Sequence, residues 1–296
     1  MLIAKEKGGS AGYTHGSAML KQRILTAVVA LPVLIAAVWF DNSIPTFTIF
    51  VAAWGVVSAL EFYRLAKIDK IPQLAWFGMI WTLLFIVSRN AELLEFLQPY
   101  FDPGLLGSLL LTSAITFSLI GLLVRRPKEQ AFNSWAWTMA GILYTGWLLS
   151  YLVALRGAEN GRNWVFLALF ATFASDSTAY FVGRTWGKRK LEPSISPAKT
   201  WEGSIGGIIG AVVISVIFTM PTPLQVNIPL WEAVILGLLI SVFGQLGDLI
   251  ESLFKRNTGV KDSSRLLPGH GGLLDRMDSV VFAGVLVYYY MIWAVR

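Results

Sequence analysis

Long apolar runs recur along this chain from about residue 24 to its C-terminal end, separated by short polar stretches. A run of about 20 apolar residues is the length of helix that crosses a hydrocarbon layer about 30 Å thick. Prolines and glycines fall mostly between the runs, as expected for turns. The predicted fold class is all-α, a polytopic membrane helix bundle with about nine transmembrane helices. Their predicted ranges are 24–40, 44–62, 72–88, 104–124, 134–155, 164–183, 203–220, 230–253 and 279–295.

Three regions are expected along the chain. Residues 1–18, which include His15, are rich in Gly and Ser and lack an apolar signal-peptide core, so we interpret them as a flexible leader or a cloning remnant. Residues 19–160 are predicted to form an N-terminal transmembrane region. Residues 161–296 are predicted to form a C-terminal transmembrane catalytic region with polar loops 184–202 and 254–278. The segment 91–103 is too short and too acidic to span, and we expect it at a membrane interface.

Composition supports the membrane assignment. The chain is 55% hydrophobic and 14% charged, whereas an average soluble domain has about 25% charged residues. A net charge of +6 in such a chain indicates basic loops beside anionic headgroups rather than nucleic-acid binding. The chain has no cysteine, which excludes disulfides, cysteine-based metal sites and a cysteine nucleophile.

The distribution of Lys and Arg predicts the orientation. With the N-terminus inside, 20 of the 24 basic residues fall in cytoplasmic segments, as the positive-inside rule requires. Both long polar loops, 184–202 and 254–278, then face the cytoplasm. We expect the protein in the inner (plasma) membrane of a cell.

Acidic residues cluster around the second of these loops. Asp248 and Glu251 lie on one face of a predicted helix with Lys255, at positions i, i+3 and i+7. Asp275 and Asp278 are spaced i, i+3 where the last predicted helix begins. Carboxylates within a membrane are rare unless they pair with a base, bind an ion or line a pathway. Asp275 and Asp278 could alternatively stabilise the start of the last helix through its dipole.

The residue types around these acids favour phosphate chemistry. Carboxylates without cysteine suit an oxygen-preferring cation such as Mg²⁺ better than Zn²⁺. The loop also contains several bases, which can meet phosphates, and the glycines Gly271 and Gly272, which let backbone N–H groups approach an anion. His270 taken alone is more often an ordinary loop histidine than a catalyst.

A second loop, 183–207, follows a predicted helix that contains Asp176. At that depth Asp176 needs an ion, a base or water. Lys188 and its basic neighbours are explained as anchors on the inner face. Lys199 differs, because SPAKT places it beside hydroxyls and ahead of a glycine-rich helix start, where a phosphate can meet both an ammonium and free N–H groups.

The run SLFKR-x4-KDSSRLLPGHGGLLDRMD, residues 252–278, resembles the signature of the phosphatidate cytidylyltransferases (CDP-diacylglycerol synthases). The runs SDSTAYFVGR and SPAKTWEGSIGG resemble two further motifs of that family, so the resemblance covers 175–279 directly. The chain departs from these motifs at Thr178 and Ala198, which stand where glycine is expected.

The resemblance implies the reaction of CTP with phosphatidate to give CDP-diacylglycerol and pyrophosphate, with Mg²⁺ as cofactor and a second cation left open. It implies the metal ligands Asp248, Asp275 and Asp278. The catalytic set it implies is Asp248, Lys255, Lys261, His270, Asp275 and Asp278. The phosphate-binding set is Lys199, Lys255, Arg256, Lys261, Gly271, Gly272 and Arg276.

Two alternatives remain at this point: a CTP-dependent kinase of a polyprenol or phytol, and a cation-coupled transporter that would use Asp176, Asp248 and Glu251 as ion sites. The expected partners are CTP, phosphatidate and the lipid bilayer, and no nucleic acid. The oligomeric state stays open, a homodimer included.

Overall fold

The computed structural model describes residues 28–40, 45–68, 74–124, 128–264, 266 and 271–294. The predicted leader, His15 and His270 lie outside these residues. The described helices are α1 (Val28–Trp39), α2 (Thr46–Ile68), α3 (Ala75–Val87), α4 (Ala91–Leu97), α5 (Leu106–Val124), α6 (Ala131–Gly141), α7 (Leu149–Arg156), α8 (Gly161–Trp186), α9 (Trp201–Ile217), α10 (Leu230–Asn257) and α11 (Asp278–Ala294). A π-helical segment, Ile142–Leu148, joins α6 to α7, and short 3-10 turns lie at Pro103–Leu105, Lys128–Gln130 and Leu274–Arg276.

The prediction of an all-α membrane helix bundle is confirmed. Within the described residues, five helical stretches are long and apolar enough to cross a membrane, and α3 with α4 would make a sixth. α3 and α4 meet at a bend of 84°, and α4 falls in the segment 91–103 that was expected not to span. α1, α9 and α11 are apolar but shorter. The number of nine spans and the cytoplasmic N-terminus therefore stay predictions.

Helices α8 and α9 approach closely because α9 presents glycines to α8. A Cβ atom added to Gly206 would lie 2.6 Å from the Val182 side chain, and one added to Gly210 would lie 2.3 Å from the Thr178 hydroxyl. Small residues at helical spacing allow such close packing in membranes. Gly210 thus makes room for Thr178, the residue found where glycine was expected.

The 184–202 loop contains a feature that the sequence did not predict. Strands β1 (Lys190–Glu192) and β2 (Ser196–Thr200) form an antiparallel hairpin between α8 and α9. Thr200 ends β2 and caps α9, because its hydroxyl accepts a hydrogen bond from the Gly203 N–H at 3.1 Å. This cap satisfies one of the free N–H groups of the first helical turn, and it holds the hairpin at the end of α9.

Helix α10 packs against both α9 and α11. Its contact with α11 is tight at Gly247, where an added Cβ would lie 2.3 Å from the backbone oxygen of Asp278. The first residue of α11 is therefore in contact with the turn of α10 that carries Asp248. Through these contacts α10 becomes the element around which the candidate site is assembled.

Candidate active site

A first ion pair joins the hairpin to α10. The Lys199 ammonium on β2 lies 2.7 Å from Asp248 Oδ2, and the two side chains are 21% and 35% exposed. The same ammonium donates to the backbone oxygen of Gln245 at 3.3 Å. Lys199 thus supplies the base that was expected for Asp248, an acid on the predicted helical face shared with Glu251 and Lys255.

A second ion pair lies two turns further along α10. The Lys255 ammonium contacts both the Glu251 carboxylate and Asp275 Oδ1, the latter at 2.8 Å. Glu251 is fully buried. The predicted helical face of Asp248, Glu251 and Lys255 is therefore present, but it is divided between two pairs: Lys255 serves Glu251, while Asp248 is paired with Lys199.

Asp275 is also held by the loop that precedes it. Its Oδ2 accepts hydrogen bonds from the Gly272 N–H at 2.7 Å and from the N–H and hydroxyl of Ser263, both at 3.1 Å. Burial alone would raise the pKa of the Asp275 carboxyl, but hydrogen bonding with Glu251, Lys255 and the Gly272 N–H holds that pKa below its usual range. The glycine N–H that was expected to face a phosphate thus faces the protein's own carboxylate.

Among the described residues of this loop, Gly259 and Gly271 have left-handed backbones, and Gly271 is the one that lies beside Asp275. Gly271 has a φ of +83°, a conformation that glycine adopts without steric cost. A Cβ at Gly271 would lie 2.5 Å from Asp275 Oδ2. Replacing Gly271 would therefore strain the turn and displace the Asp275 carboxylate.

Asp278 and Asp176 both interact electrostatically with Asp248. Asp278 interacts electrostatically with Asp248 and with Asp176. Asp176 on α8 interacts with Asp248, Lys199 and Arg276. The packing of α8, α9 and α10 therefore brings Asp176 near the base Lys199 and the acid Asp248.

The predicted metal ligands have oxygen donors that fit Mg²⁺, but they are not assembled as a three-carboxylate cluster. Among the described residues, no group of three or more His, Cys, Asp or Glu side chains is placed to hold a metal ion. Asp248 and Asp275 are each paired with a lysine. Mg²⁺ commonly takes only one or two protein carboxylates when phosphates supply further oxygens. Ligation by Asp248, Asp275 and Asp278 stays a prediction.

Other predicted site residues have separate positions. Arg256 donates to the backbone oxygens of Ile195 at 3.1 Å and Val260 at 3.3 Å, so its side chain ties the end of α10 to the hairpin turn. Lys261 is exposed at the start of the loop, and Arg276 is exposed in the turn before α11. The position of His270 is outside the described residues.

Glu61 on α2 is a site residue that sequence reasoning missed. It is 1% exposed, and it accepts hydrogen bonds from Ser264 and from the Leu274 N–H of the 254–278 loop. The predicted helix ended at residue 62, which made Glu61 an acid at a solvated helix end. α2 in fact continues to Ile68, so Glu61 lies about 10 Å inside it. A correct helix end would have marked it as an acid within a long apolar helix.

An apolar cavity borders the turn Leu274–Arg276. Its wall comes from α1, α2, α7, α8 and α11, and Arg276 is the charged residue that lines it. Trp54, which also lines the cavity, donates its indole N–H to the backbone oxygen of Leu273 at 3.0 Å. The turn that carries Asp275 and Arg276 therefore adjoins a space lined by apolar side chains.

Comparison with known proteins identifies the family. The model of the cytidylyltransferase family matches residues 21–294. This chain belongs to that family. Among its relatives, the phosphatidate cytidylyltransferase of Bacillus subtilis (strain 168) is 35% identical over 271 residues, which cover 91% of this chain and 97% of the relative. This agrees with the resemblance found in 252–278.

Two further relatives of this cytidylyltransferase family member carry the same name. The phosphatidate cytidylyltransferase of Staphylococcus haemolyticus (strain JCSC1435) is 33% identical over 264 residues, 89% of this chain and 95% of the relative. That of Brucella abortus biovar 1 (strain 9-941) is 35% identical over 278 residues, 91% of this chain and 92% of the relative. The similarity thus extends over the N-terminal helices as well as the motifs.

Proposed function

We propose that this chain is a phosphatidate cytidylyltransferase that transfers the cytidylyl group of CTP to phosphatidate in phospholipid biosynthesis. A phosphate oxygen of phosphatidate forms a bond to the α-phosphorus of CTP, and the bond from that phosphorus to the bridging oxygen breaks. Pyrophosphate leaves with the electron pair. The observation that carries the proposal is the pair of lysine–aspartate contacts at one end of α10, Lys199–Asp248 and Lys255–Asp275, in a chain of this family.

In this proposal the site residues bind and orient the charged phosphate groups of the substrates, and they form no covalent intermediate. A phosphate monoester is already a nucleophile at neutral pH, so positioning and charge neutralisation account for most of the catalysis. Lys199 can exchange Asp248 for polyphosphate oxygens, whereas Lys255 can meet a polyphosphate oxygen while it stays beside Asp275. Asp248 so released, with Asp275 and Asp278, would hold Mg²⁺. When bound, such an ion supplies neutralisation of the charge that develops on the phosphates.

The apolar cavity supports a lipid acceptor. Its aliphatic and aromatic lining suits an acyl chain, and Arg276 at its polar border suits a phosphate headgroup. We infer that phosphatidate reaches the lysine–aspartate pairs from the membrane while CTP arrives from water. In this proposal the protein lies in a bacterial plasma membrane with the site on the cytoplasmic side.

The decisive experiment uses CTP labelled at either its α- or its γ-phosphate. The protein purified in detergent is incubated with Mg²⁺, phosphatidate and labelled CTP, and the lipid is extracted. Label from α-labelled CTP in the lipid, with release of pyrophosphate, is the expected result. Transfer of the γ-label to a polyprenol would instead identify the lipid kinase alternative, and absence of any transfer with active controls would contradict the proposal.

A further inference from the structure

Glu61 connects the N-terminal helices to the loop that carries Asp275. Its Oε1 accepts a hydrogen bond from the Ser264 hydroxyl at 2.6 Å, and its Oε2 accepts one from the Leu274 N–H at 2.8 Å. The donors follow Glu61 by 203 and 213 residues. A buried carboxylate is stable only when such donors replace water. The loop and α2 therefore stabilise each other's conformation.

A single hydroxyl lies between Glu61 and Asp275. Ser263 Oγ is 3.2 Å from Glu61 Oε2 and 3.1 Å from Asp275 Oδ2. A hydroxyl has one proton to donate, so it can serve only one of the two carboxylates at a time. The state of Asp275 is thereby coupled to the hydrogen bonding of Glu61.

The contact between α2 and the loop leaves no spare volume. A Cβ at Gly272 would lie 2.0 Å from Ser263 Oγ and 2.4 Å from Glu61 Oε2. Trp54, two helical turns before Glu61 on the same face of α2, binds the Leu273 oxygen. Three consecutive residues, 272–274, are therefore held directly against α2 by packing and by hydrogen bonds.

We propose that Glu61 is a positioning residue for the transfer reaction: it holds Ser263, Ser264 and residues 272–274 against α2 so that Asp275 meets Lys255. This inference rests on the proposed function. Glu61 binds the N–H of Leu274, the residue that directly precedes Asp275, so release of that N–H would move the Asp275 carboxylate away from its 2.8 Å contact with Lys255. A displacement of about 1 Å in a reacting group can reduce a rate by about 100-fold.

Kinetics of Glu61→Ala and Glu61→Gln test the positioning role. Alanine removes every acceptor, and we expect kcat to fall about 100-fold while the KM for CTP changes less than about threefold. Glutamine keeps an oxygen for the Leu274 N–H, and its amide can donate to Ser264, whose hydroxyl also accepts hydrogen bonds. Glu61→Gln should therefore recover activity to within about tenfold of the unmodified protein. The matched control is Glu95→Ala, an exposed glutamate of α4, for which both constants should be unchanged.

Hydrogen exchange followed by mass spectrometry provides a readout that does not require activity. In Glu61→Ala we expect faster exchange in peptides that cover 261–275 and unchanged exchange in peptides that cover the 190–200 hairpin. Unchanged exchange in both regions, or an equal increase throughout the chain, would overturn the proposal.

Two further measurements distinguish the positioning role from misfolding of the variant and from a failure of the proposed function. If Glu61→Ala fails to insert, Ser264→Ala removes one hydrogen bond to Glu61 and should still accelerate exchange only in 261–275; unaltered exchange there contradicts the inference. If the unmodified protein transfers no label from CTP, the proposed function fails, whereas normal transfer by both Glu61 variants with a normal loop defeats only the positioning role.

Discussion

The two lysine–aspartate pairs on α10 differ in their surroundings. Lys199–Asp248 joins the hairpin to α10, and its side chains are 21% and 35% exposed. Lys255–Asp275 joins α10 to the turn before α11, and its side chains are only 11% and 7% exposed. The first pair can exchange partners with a solute from water. The second is surrounded by Glu251 and by the donors of Ser263 and Gly272.

Because the two pairs differ in exposure, we expect them to contribute differently to ligand binding and to the stability of the fold. An exposed ion pair contributes about 0–1 kcal/mol to stability, so folding alone gives little reason for Lys199 to meet Asp248. Breaking a buried pair by removing one partner costs about 3–5 kcal/mol, so Lys255–Asp275 holds the loop as well as serving the site.

Asp275→Asn should have the largest effect on turnover. The loss of an anionic group that meets Lys255 should lower kcat by about 10³-fold or more, equivalent to about 4 kcal/mol of transition-state stabilisation. Asp278→Asn should behave in the same way if both are metal ligands. The assay is CMP transfer to lipid with Mg²⁺, and Glu129→Gln, an exposed acid outside the site, is the control. Near-normal turnover in both aspartate variants would show that the ligand assignment is wrong.

Lys255→Met should lower the free energy of unfolding more than Lys199→Met does. It leaves Glu251 and Asp275 without their shared cation, and we expect a decrease of about 3–5 kcal/mol in the free energy of unfolding. Lys199→Met should lower it by about 1 kcal/mol or less. Chemical denaturation of both variants in one detergent measures the difference. Equal losses would mean that burial does not distinguish the two pairs.

Lys199→Gln should affect CTP binding more than stability. If Lys199 exchanges Asp248 for a polyphosphate oxygen, the KM for CTP should rise about tenfold, which corresponds to about 1.4 kcal/mol. Lys261→Gln is expected to raise it in the same way. Lys188→Gln, an exposed base of the same loop as Lys199, should leave it unchanged. A similar rise in all three variants would indicate general surface charge instead of a site.

Cysteine labelling should place both pairs on one side of the membrane without altering activity. The chain has no cysteine, so single substitutions report one position each. Lys190→Cys near the first pair and Asn257→Cys near the second should be protected from a membrane-impermeant maleimide in intact cells, whereas Glu159→Cys should react. Labelling of Lys190→Cys but not of Asn257→Cys would place the pairs on opposite faces and contradict the proposed site.

Local features of the site were predicted well where they depend on spacing along one helix. Glu251 and Lys255 lie one turn apart on the predicted face of α10, and their side chains are in contact. The i, i+3 acids Asp275 and Asp278 do flank the start of α11. Features that depend on contacts between distant segments were missed: the hairpin that presents Lys199, and Glu61, whose partners lie more than 200 residues away.

The approximate positions of the apolar helices follow from the sequence alone, because a hydrocarbon layer requires long apolar segments whatever their packing. The types of the candidate site residues follow as well, because acids in such segments need bases or ions. Only the tertiary structure decided which base meets which acid. Lys199 pairs with Asp248, and Lys255 with Asp275, because α9, α10 and α11 pack closely at glycines such as Gly247. Such approach distances depend on the mutual packing of helices, which hydropathy along a single chain does not encode.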